Sequence, residues 1–483
     1  MLFNSIDFAI FLPIVFTLYW FVTQKNLKFQ NLLLVFSSYI FYGWWDWRFL
    51  FLILFTSCSD FLISNSLYNR EKQWQRKILL ILSIFIDFGI LGFFKYYNFF
   101  QENFVTVFKF FGQEIHGNSL NIILPVGISF YTFQSLSYTL DVYNRKIIPS
   151  DSLIDFLAFV SFFPQLVAGP IERATNLLPQ FKSQRNFEYD KAVDGMRQIL
   201  WGLFKKIVIA DNCAIYANLV FNNSSTFSGS TLLLGALFFT FQIYGDFSGY
   251  SDIAIGTARL FGFNLMRNFA TPYFSRDIAE FWRRWHISLS TWFRDYLYIP
   301  LGGSRGGKLK NIRNTFIIFI ASGFWHGANW TFIVWGALNA IYFLPLLLTN
   351  NNRKYLNIVA QQRNIPSVLE FLQIISTFFL TVFAWIFFRA ESIGHALGYL
   401  SRMFSTSIFS IPVFDGREHA IKIIVILFIF LLIEWKNRMK AHPLENLQYC
   451  IEKKLLRWFV YYVLVFGLVF FGTNSQDFIY FQF

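Results

Sequence analysis

Two of the six histidines, His326 and His286, stand in segments that could do chemistry. His326 lies in SGFWHGANW (322–330), flanked by Gly323 and Gly327 and set between apolar runs that begin at Asn314 and Trp330. An ionisable group at a helix break inside a bilayer is expensive, and its default reading is functional, facing a cavity. Imidazole, with an unperturbed pKa of about 6.5, titrates near neutrality. The competing explanation is a histidine bonded to a backbone carbonyl freed by the two glycines. His286 lies in FWRRWHISLSTWFRDYLYIPLGG (281–303). There Phe281, Trp285, Leu289, Trp292 and Tyr296 recur at helical spacing, so an amphipathic helix is expected. It would carry Arg283, Arg284, Arg294 and Asp295 at an interface or a polar cavity. The same pattern fits a helix lying on the membrane surface with its arginines at the headgroups, and the residues alone do not choose. A third stretch, YGDFSGYSDIAIG (244–256), sets Asp246 and Asp252 beside Ser248, Tyr250 and Ser251 in apolar surroundings. Buried carboxylates need partners. These two either shape a polar tunnel or pair with the arginines near His286, and a structural ion pair is the simplest account.

Other chemistries fail on context. No HExxH or comparable spacing marks a zinc site. His116, His395, His419 and His442 fall in polar loops or at span ends and are expected at the surface or the membrane interface. The three cysteines, Cys58, Cys213 and Cys450, are far apart with no CxxC, which argues against a disulfide framework or thiolate metal site and leaves them as buried filler. The loop GGSRGGKL (302–309) contains both a GxSxG around Ser304 and a GxxxxGK ending at Lys308. A nucleophile elbow needs a strand before its serine, whereas Ser304 follows an aromatic helical pattern. A P-loop needs Ser or Thr after the lysine, and Leu309 stands there. A flexible cytoplasmic turn is the better reading, with Arg305, Lys308 and Lys310 placed to meet an anionic donor.

The elements that must position these residues follow from composition. Of 483 residues, 55% are hydrophobic, 22% aromatic and only 14% charged, against about a quarter charged in soluble domains. An ordinary cytosolic enzyme is excluded. The net charge of +13 would suggest nucleic acid in a soluble chain, but the basic residues cluster in short loops between apolar runs, as the positive-inside rule requires. Expected spans are 8–22, 32–42, 49–67, 78–94, 232–244, 314–324, 330–348, 371–388, 421–435 and 455–471, the shorter ones tilted or re-entrant. The basic segment 68–77 is placed in the cytoplasm, which turns the N-terminus outward, leaves the KNLK cluster (25–28) inside and puts the Trp-rich tip 43–48 at the outer interface. No positive charge precedes the first apolar run and no small-residue cleavage site follows it, so a retained helix is expected rather than a signal peptide.

Between 122 and 262 the pattern changes. Pro125, Gly127, Pro164, Gly169, Pro170, Gly245 and Gly249 interrupt the apolar runs, and broken or re-entrant helices around a polar interior are expected. The segment 350–366 is polar and basic and reads as a cytoplasmic loop. No repeat and no soluble domain is visible.

Four motifs carry a family resemblance: YGDFSGYSDIAIG (244–256), FWRRWHISLSTWFRDYLYIPLGGSRGG (281–307), SGFWHGANWTFIVWGALNA (322–340) and FIYFQF (478–483). They resemble the membrane-bound O-acyltransferases, in particular the bacterial branch that acetylates alginate and other exopolysaccharides. The resemblance spans nearly the whole chain. It implies an all-α polytopic membrane domain over 1–483, with N-terminal helices in 1–95, a core with re-entrant segments and active-site motifs in 96–350 and C-terminal helices in 351–483. It also implies a central tunnel with a catalytic histidine at mid-membrane, which His326 matches. His286 matches the family's second active-site position, commonly Asn in the eukaryotic branch. Tunnel or donor-binding roles then fall to Asp246, Asp252, Arg294, Asp295, Tyr296 and Arg305.

The implied reaction is transfer of an acetyl group from a cytoplasmic thioester, acetyl-CoA or another acyl thioester, to a polysaccharide hydroxyl, with no bound cofactor and no metal. Implied surroundings are membrane lipid in a bacterial inner membrane, a periplasmic N-terminus, and a separate periplasmic acetyltransferase that finishes delivery. Two alternatives stand beside this reading. One is D-alanyl transfer to teichoic acid by the same fold and histidine. The other is a transporter or flippase of a lipid-linked sugar, with which Asp246, Asp252 and His326 are compatible, although the paired inverted repeats that would support it are not visible.

Overall fold

The computed structural model describes residues 1–483 apart from Glu114, His116, Asn118, Thr473, Asn474, Ser475, Asp477 and 480–483. His116 and most of the FIYFQF motif therefore lie outside the described residues. Among those described, every regular element is helical. Among the described residues, six helices are long and apolar enough to cross a membrane: Trp47–Tyr68, Gln73–Phe110, Gly229–Leu260, Trp330–Leu348, Val368–Arg389 and Lys454–Phe471. Ile6–Val22 is a shorter apolar helix. The other expected spans, 32–42, 314–324 and 421–435, lie inside Leu27–Gly43, Lys308–His326 and Arg417–Lys436, which are shorter or carry more polar residues. No helix is assigned between Leu348 and Val368, as the polar composition of 350–366 predicts.

The chain divides into two compact units, Met1–Ala192 with Thr257–Leu265, and Val193–Gly256 with Met266–Phe483. In the first, several polar residues of apolar helices pair with one another, as a lipid surrounding favours. Asn31 donates to Asp155 and to the Phe181 carbonyl, both at 2.8 Å, while its own oxygen accepts from Arg185. Ser83 donates to Asp60 at 2.6 Å, and Ser64 to Thr139 at 3.1 Å. The breaks expected from Pro125, Gly127, Pro164 and Pro170 are present. Gly127 opens the helix Ile128–Tyr143 at φ 73°, and a Cβ there would stand 2.8 Å from the Leu166 carbonyl oxygen. A helix Leu153–Ser161 gives way at Phe162 to a single turn, Phe163–Leu166.

The second unit corrects the expectation at Gly245 and Gly249. Neither breaks anything: Gly229–Leu260 is one helix of 32 residues. The glycines serve close approach instead. A Cβ on Gly245 would meet the Lys205 carbonyl oxygen at 2.9 Å, one on Gly249 that of Gly202 at 2.8 Å, and one on Gly256 that of Gly195 at 2.4 Å. Gly202 answers from the other side, its Cβ position 2.6 Å from the Gly249 carbonyl oxygen. Backbone lies on backbone along this line, so Gly249→Leu should force the helices apart. Overpacking of this kind costs about 1–3 kcal/mol, and the expected result is a lower unfolding midpoint in a denaturant titration of the detergent-extracted protein, with Gly398→Leu, where nothing stands within 4 Å, close to wild type.

The same device builds the hairpin that ends in His326. Lys308–His326 and Trp330–Leu348 turn about Gly327, and a Cβ on Gly323 would fall 2.2 Å from the Phe332 carbonyl oxygen, one on Gly336 2.3 Å from that of Phe319. The cysteines depart from the buried-filler expectation: Cys213 is buried, Cys58 half-buried and Cys450 exposed, with Lys440 Nζ 3.0 Å from its sulfur.

Candidate active site

The single amphipathic helix expected over 281–303 is not there. It is two short helices, Ile278–Arg284 and Ile287–Phe293, followed by a π-helical turn, Arg294–Tyr298. The break falls at His286, which adopts a left-handed conformation with φ 44°. No glycine or proline announces it. Tertiary hydrogen bonds hold it instead: Ala270 N–H donates to the Arg284 carbonyl at 2.9 Å and Ile287 N–H to the Asn268 carbonyl at 3.0 Å. The apolar face itself is real, since Phe281, Trp285, Leu289 and Trp292 are all buried.

His286 and His326 are brought together, 1% and 3% exposed, with ring centroids 6.5 Å apart. His326 closes its helix with its ring edge-on to Trp335 and Phe388, each at 5.2 Å, and Trp325 at 5.0 Å. Trp385 stacks on Trp335 at 5.6 Å and meets Phe388 at 5.1 Å. His286 packs against Phe247 at 4.5 Å and Trp325 at 6.0 Å. Its Nδ1 lies 3.2 Å from Asn268 Oδ1 and 3.4 Å from Ser288 Oγ. Two imidazoles within an aromatic wall form a low-dielectric centre in which fixed dipoles act strongly.

The remaining candidates have partners of their own. Asp246 and Asp252 do not pair with the arginines around His286. Asp246 binds Lys206 at 2.9 Å and accepts from Ile479 N–H at 2.6 Å, and Lys206 also reaches Asp211 at 2.9 Å. Asp252 binds Lys205 at 2.6 Å and accepts from Gln198 at 2.8 Å. Phe478 packs on Tyr250 with centroids 4.8 Å apart. The arginines turn toward the 350–366 segment: Arg283 donates to the Asn352 and Tyr355 carbonyls, and Arg276 and Arg284 share Glu280. Arg294 and Asp295 pair with each other at 2.7 Å, with Arg294 exposed, Tyr296 packs on Trp292 at 5.2 Å, and Arg305 sits in an exposed turn. Beside the lysine-paired carboxylates is a polar cavity of about 20 Å³, room for a water, lined by Lys205, Tyr244, Asp252, Arg267, Glu434 and His442 among others.

His442 corrects a further expectation, being buried with its Nε2 3.2 Å from Asp194. His395 and His419 are half-buried, bonded to Ser224 and Tyr216. Reasoning from sequence missed Asn268 and the lysine pair. The pair had a signal in the adjacent cations of FKKIVIA (204–210), an apolar run where charge demands an explanation.

Residues 146–389 match the model of the membrane-bound O-acyltransferase family. The chain is 42% identical over 411 residues to a Pseudomonas aeruginosa protein named "Probable alginate O-acetylase AlgI", covering 84% of this chain and 75% of that one. It is 36% identical over 434 residues to the Helicobacter pylori peptidoglycan O-acetyltransferase, covering 83% and 80%. Similarity to the Bacillus subtilis teichoic acid D-alanyltransferase is more distant, 28% over 290 residues, covering 57% and 71%. With the family-model match covering both histidine motifs and 42% identity to a relative over 84% of its own length, this multi-pass helical chain belongs to the membrane-bound O-acyltransferase family.

Proposed function

We propose that this acyltransferase moves an acetyl group from a cytoplasmic acyl thioester, acetyl-CoA being the expected donor, to a hydroxyl of an exported polysaccharide or to a periplasmic acetyltransferase that completes delivery. The observation that carries the proposal is the pair of buried histidines with centroids 6.5 Å apart inside an aromatic wall. The acceptor oxygen attacks the thioester carbonyl while its proton passes to a nitrogen of His326. The tetrahedral oxyanion collapses, the carbon–sulfur bond breaks and the proton moves on to the thiolate, leaving an ester and a free thiol. His286 orients this exchange or stabilises the oxyanion. Water competes with the hydroxyl for the acyl group, and the tryptophans and phenylalanines around His326 hold it back.

The basic loops are assigned to the cytoplasm by the positive-inside rule, with the chain in a bacterial inner membrane and its N-terminus in the periplasm. Acetyl is favoured over D-alanyl because the matches to O-acetylating proteins are longer and higher in identity than those to D-alanyltransferases.

The test is the acetyl-ester content of exported polysaccharide in three strains: intact gene, deletion, and deletion complemented with His326→Ala at matched membrane expression. Loss in the latter two is expected. Unchanged acetate in the deletion strain would redirect the reading to D-alanyl esters, and rescue by the alanine variant would remove His326 from the mechanism.

A further inference from the structure

Asn268 is completely buried and gathers the surroundings of His286 onto one amide. Its Oδ1 accepts from the Ser288 N–H at 3.2 Å and the Ser288 hydroxyl at 2.9 Å, and lies 3.2 Å from His286 Nδ1. Its Nδ2 donates to Ser251 Oγ at 3.2 Å, and its backbone carbonyl accepts the Ile287 N–H at 3.0 Å. The orientation of the amide is fixed by chemistry: a backbone N–H can only donate, so the atom facing Ser288 N is the oxygen. An amide oxygen in turn can only accept, so a hydrogen bond across this 3.2 Å contact needs the hydrogen on His286 Nδ1, and the Ser288 hydroxyl, 3.4 Å from Nδ1, spends its own hydrogen on Asn268 at the shorter 2.9 Å. A neutral imidazole protonated at Nδ1 keeps its lone pair on Nε2.

The backbone points the same way. His286 occupies the left-handed region at φ 44°, which costs a non-glycine residue about 1–3 kcal/mol and persists only where the surroundings over-determine it. Here Asn268 supplies that determination from both its side chain and its main chain.

We propose that Asn268 is the positioning residue of this centre, holding the Nδ1–H tautomer of His286 so that His286 acts through Nε2 as a hydrogen-bond acceptor rather than as a donor to the thioester oxyanion. The inference rests on the acyl-transfer reading above and selects between the two roles given there to His286. An acceptor nitrogen orients its neighbour by taking a hydrogen bond from the incoming hydroxyl or from the His326 ring. It stabilises an oxyanion only after it has itself been protonated.

The test uses the full-length chain in lipid vesicles. Solid-state NMR of protein labelled with ¹⁵N-histidine, with the His286 signals assigned by their loss in His286→Gln, should show Nδ1 protonated and Nε2 bare. Transfer of radiolabelled acetyl from acetyl-CoA to the host's own polymer is then followed in membrane vesicles. Asn268→Leu, which keeps the volume but removes the acceptor, should lower kcat by about 10²-fold with KM for acetyl-CoA little changed. Asn268→Asp keeps the acceptor and adds charge beside the ring. It should retain most of the turnover and shift the acid limb of the kcat profile to higher pH, because a neighbouring carboxylate favours the imidazolium.

A wild-type His286 protonated at Nε2 overturns the proposal, as does an Asn268→Leu variant with unaltered kcat and pH profile. Should the leucine variant fail to fold, the wild-type spectrum and the aspartate profile decide. Full turnover in His326→Gln would instead overturn the parent reading, so the two failures are distinguishable.

Discussion

His326→Gln is expected to lower acetyl transfer by about 10²–10⁴-fold, the range attributed to a positioned general acid–base group, while leaving the helices assembled. Glutamine is preferable to alanine because the imidazole is packed on Trp325, Trp335 and Phe388. Removing the ring would open a cavity and confuse a catalytic loss with a packing loss. Glutamine fills most of the volume and keeps a polar tip, but it does not take a proton near neutral pH. The measurement is radiolabelled acetyl transferred per unit of protein in membrane vesicles, with the unfolding midpoint of the extracted protein alongside. A variant that keeps more than a tenth of wild-type turnover, the smallest loss worth assigning to the base being well beyond that, would end the assignment. Loss of both turnover and folding would be answered by His326→Asn, judged by the same two readings.

The second large effect falls on stability. Lys206 is buried between two buried carboxylates, Asp246 and Asp211, each at 2.9 Å, and donates a third bond to the Gln476 carbonyl at 2.9 Å. Lys206→Met preserves length and apolar bulk but leaves two carboxylates facing each other without a cation. Breaking a buried pair by removing one partner costs about 3–5 kcal/mol, and the expected outcome is a large fall in the unfolding midpoint or failure to accumulate in the membrane. Neutralising the partners as well, Lys206→Met with Asp211→Asn and Asp246→Asn, should recover much of that loss, since replacing a buried ionic group as a whole is often near neutral. If the single variant unfolds within about 1 kcal/mol of wild type, the size of an exposed pair, the cluster is not structural.

How much was legible beforehand depended on whether the cause lay in local sequence. The long apolar helices, the breaks at Gly127 and around Pro164, and the helix-free 350–366 segment follow from hydropathy and backbone restriction, both local properties. His326 was visible because a titratable side chain between glycines in an apolar run has few bland explanations. What escaped was set by distant partners. Gly245 and Gly249 read as breakers, yet they permit contact with Lys205 and Gly202, which no local rule anticipates. Residues 281–303 carry an unbroken helical pattern, and the interruption at His286 comes from Asn268, far enough along the chain that periodicity cannot report it. His442 looked like a loop residue and is buried against Asp194 for the same reason.

The adjacent lysines 205 and 206, on the π-helical turn Phe204–Ala210, reach different carboxylates on the neighbouring helix, Asp252 and Asp246. Two ionic pins at different heights behave like the teeth of a key. Sliding the 229–260 helix by one residue, or rotating it by one position, would unseat both charges at once inside the protein, and the glycine backbones in contact beside them leave no slack to take up the movement. This pair of helices is therefore a fixed frame rather than a moving part. Whatever rearrangement lets substrates in and products out has to be borne by other segments, and cross-linking these two helices to each other should leave turnover intact.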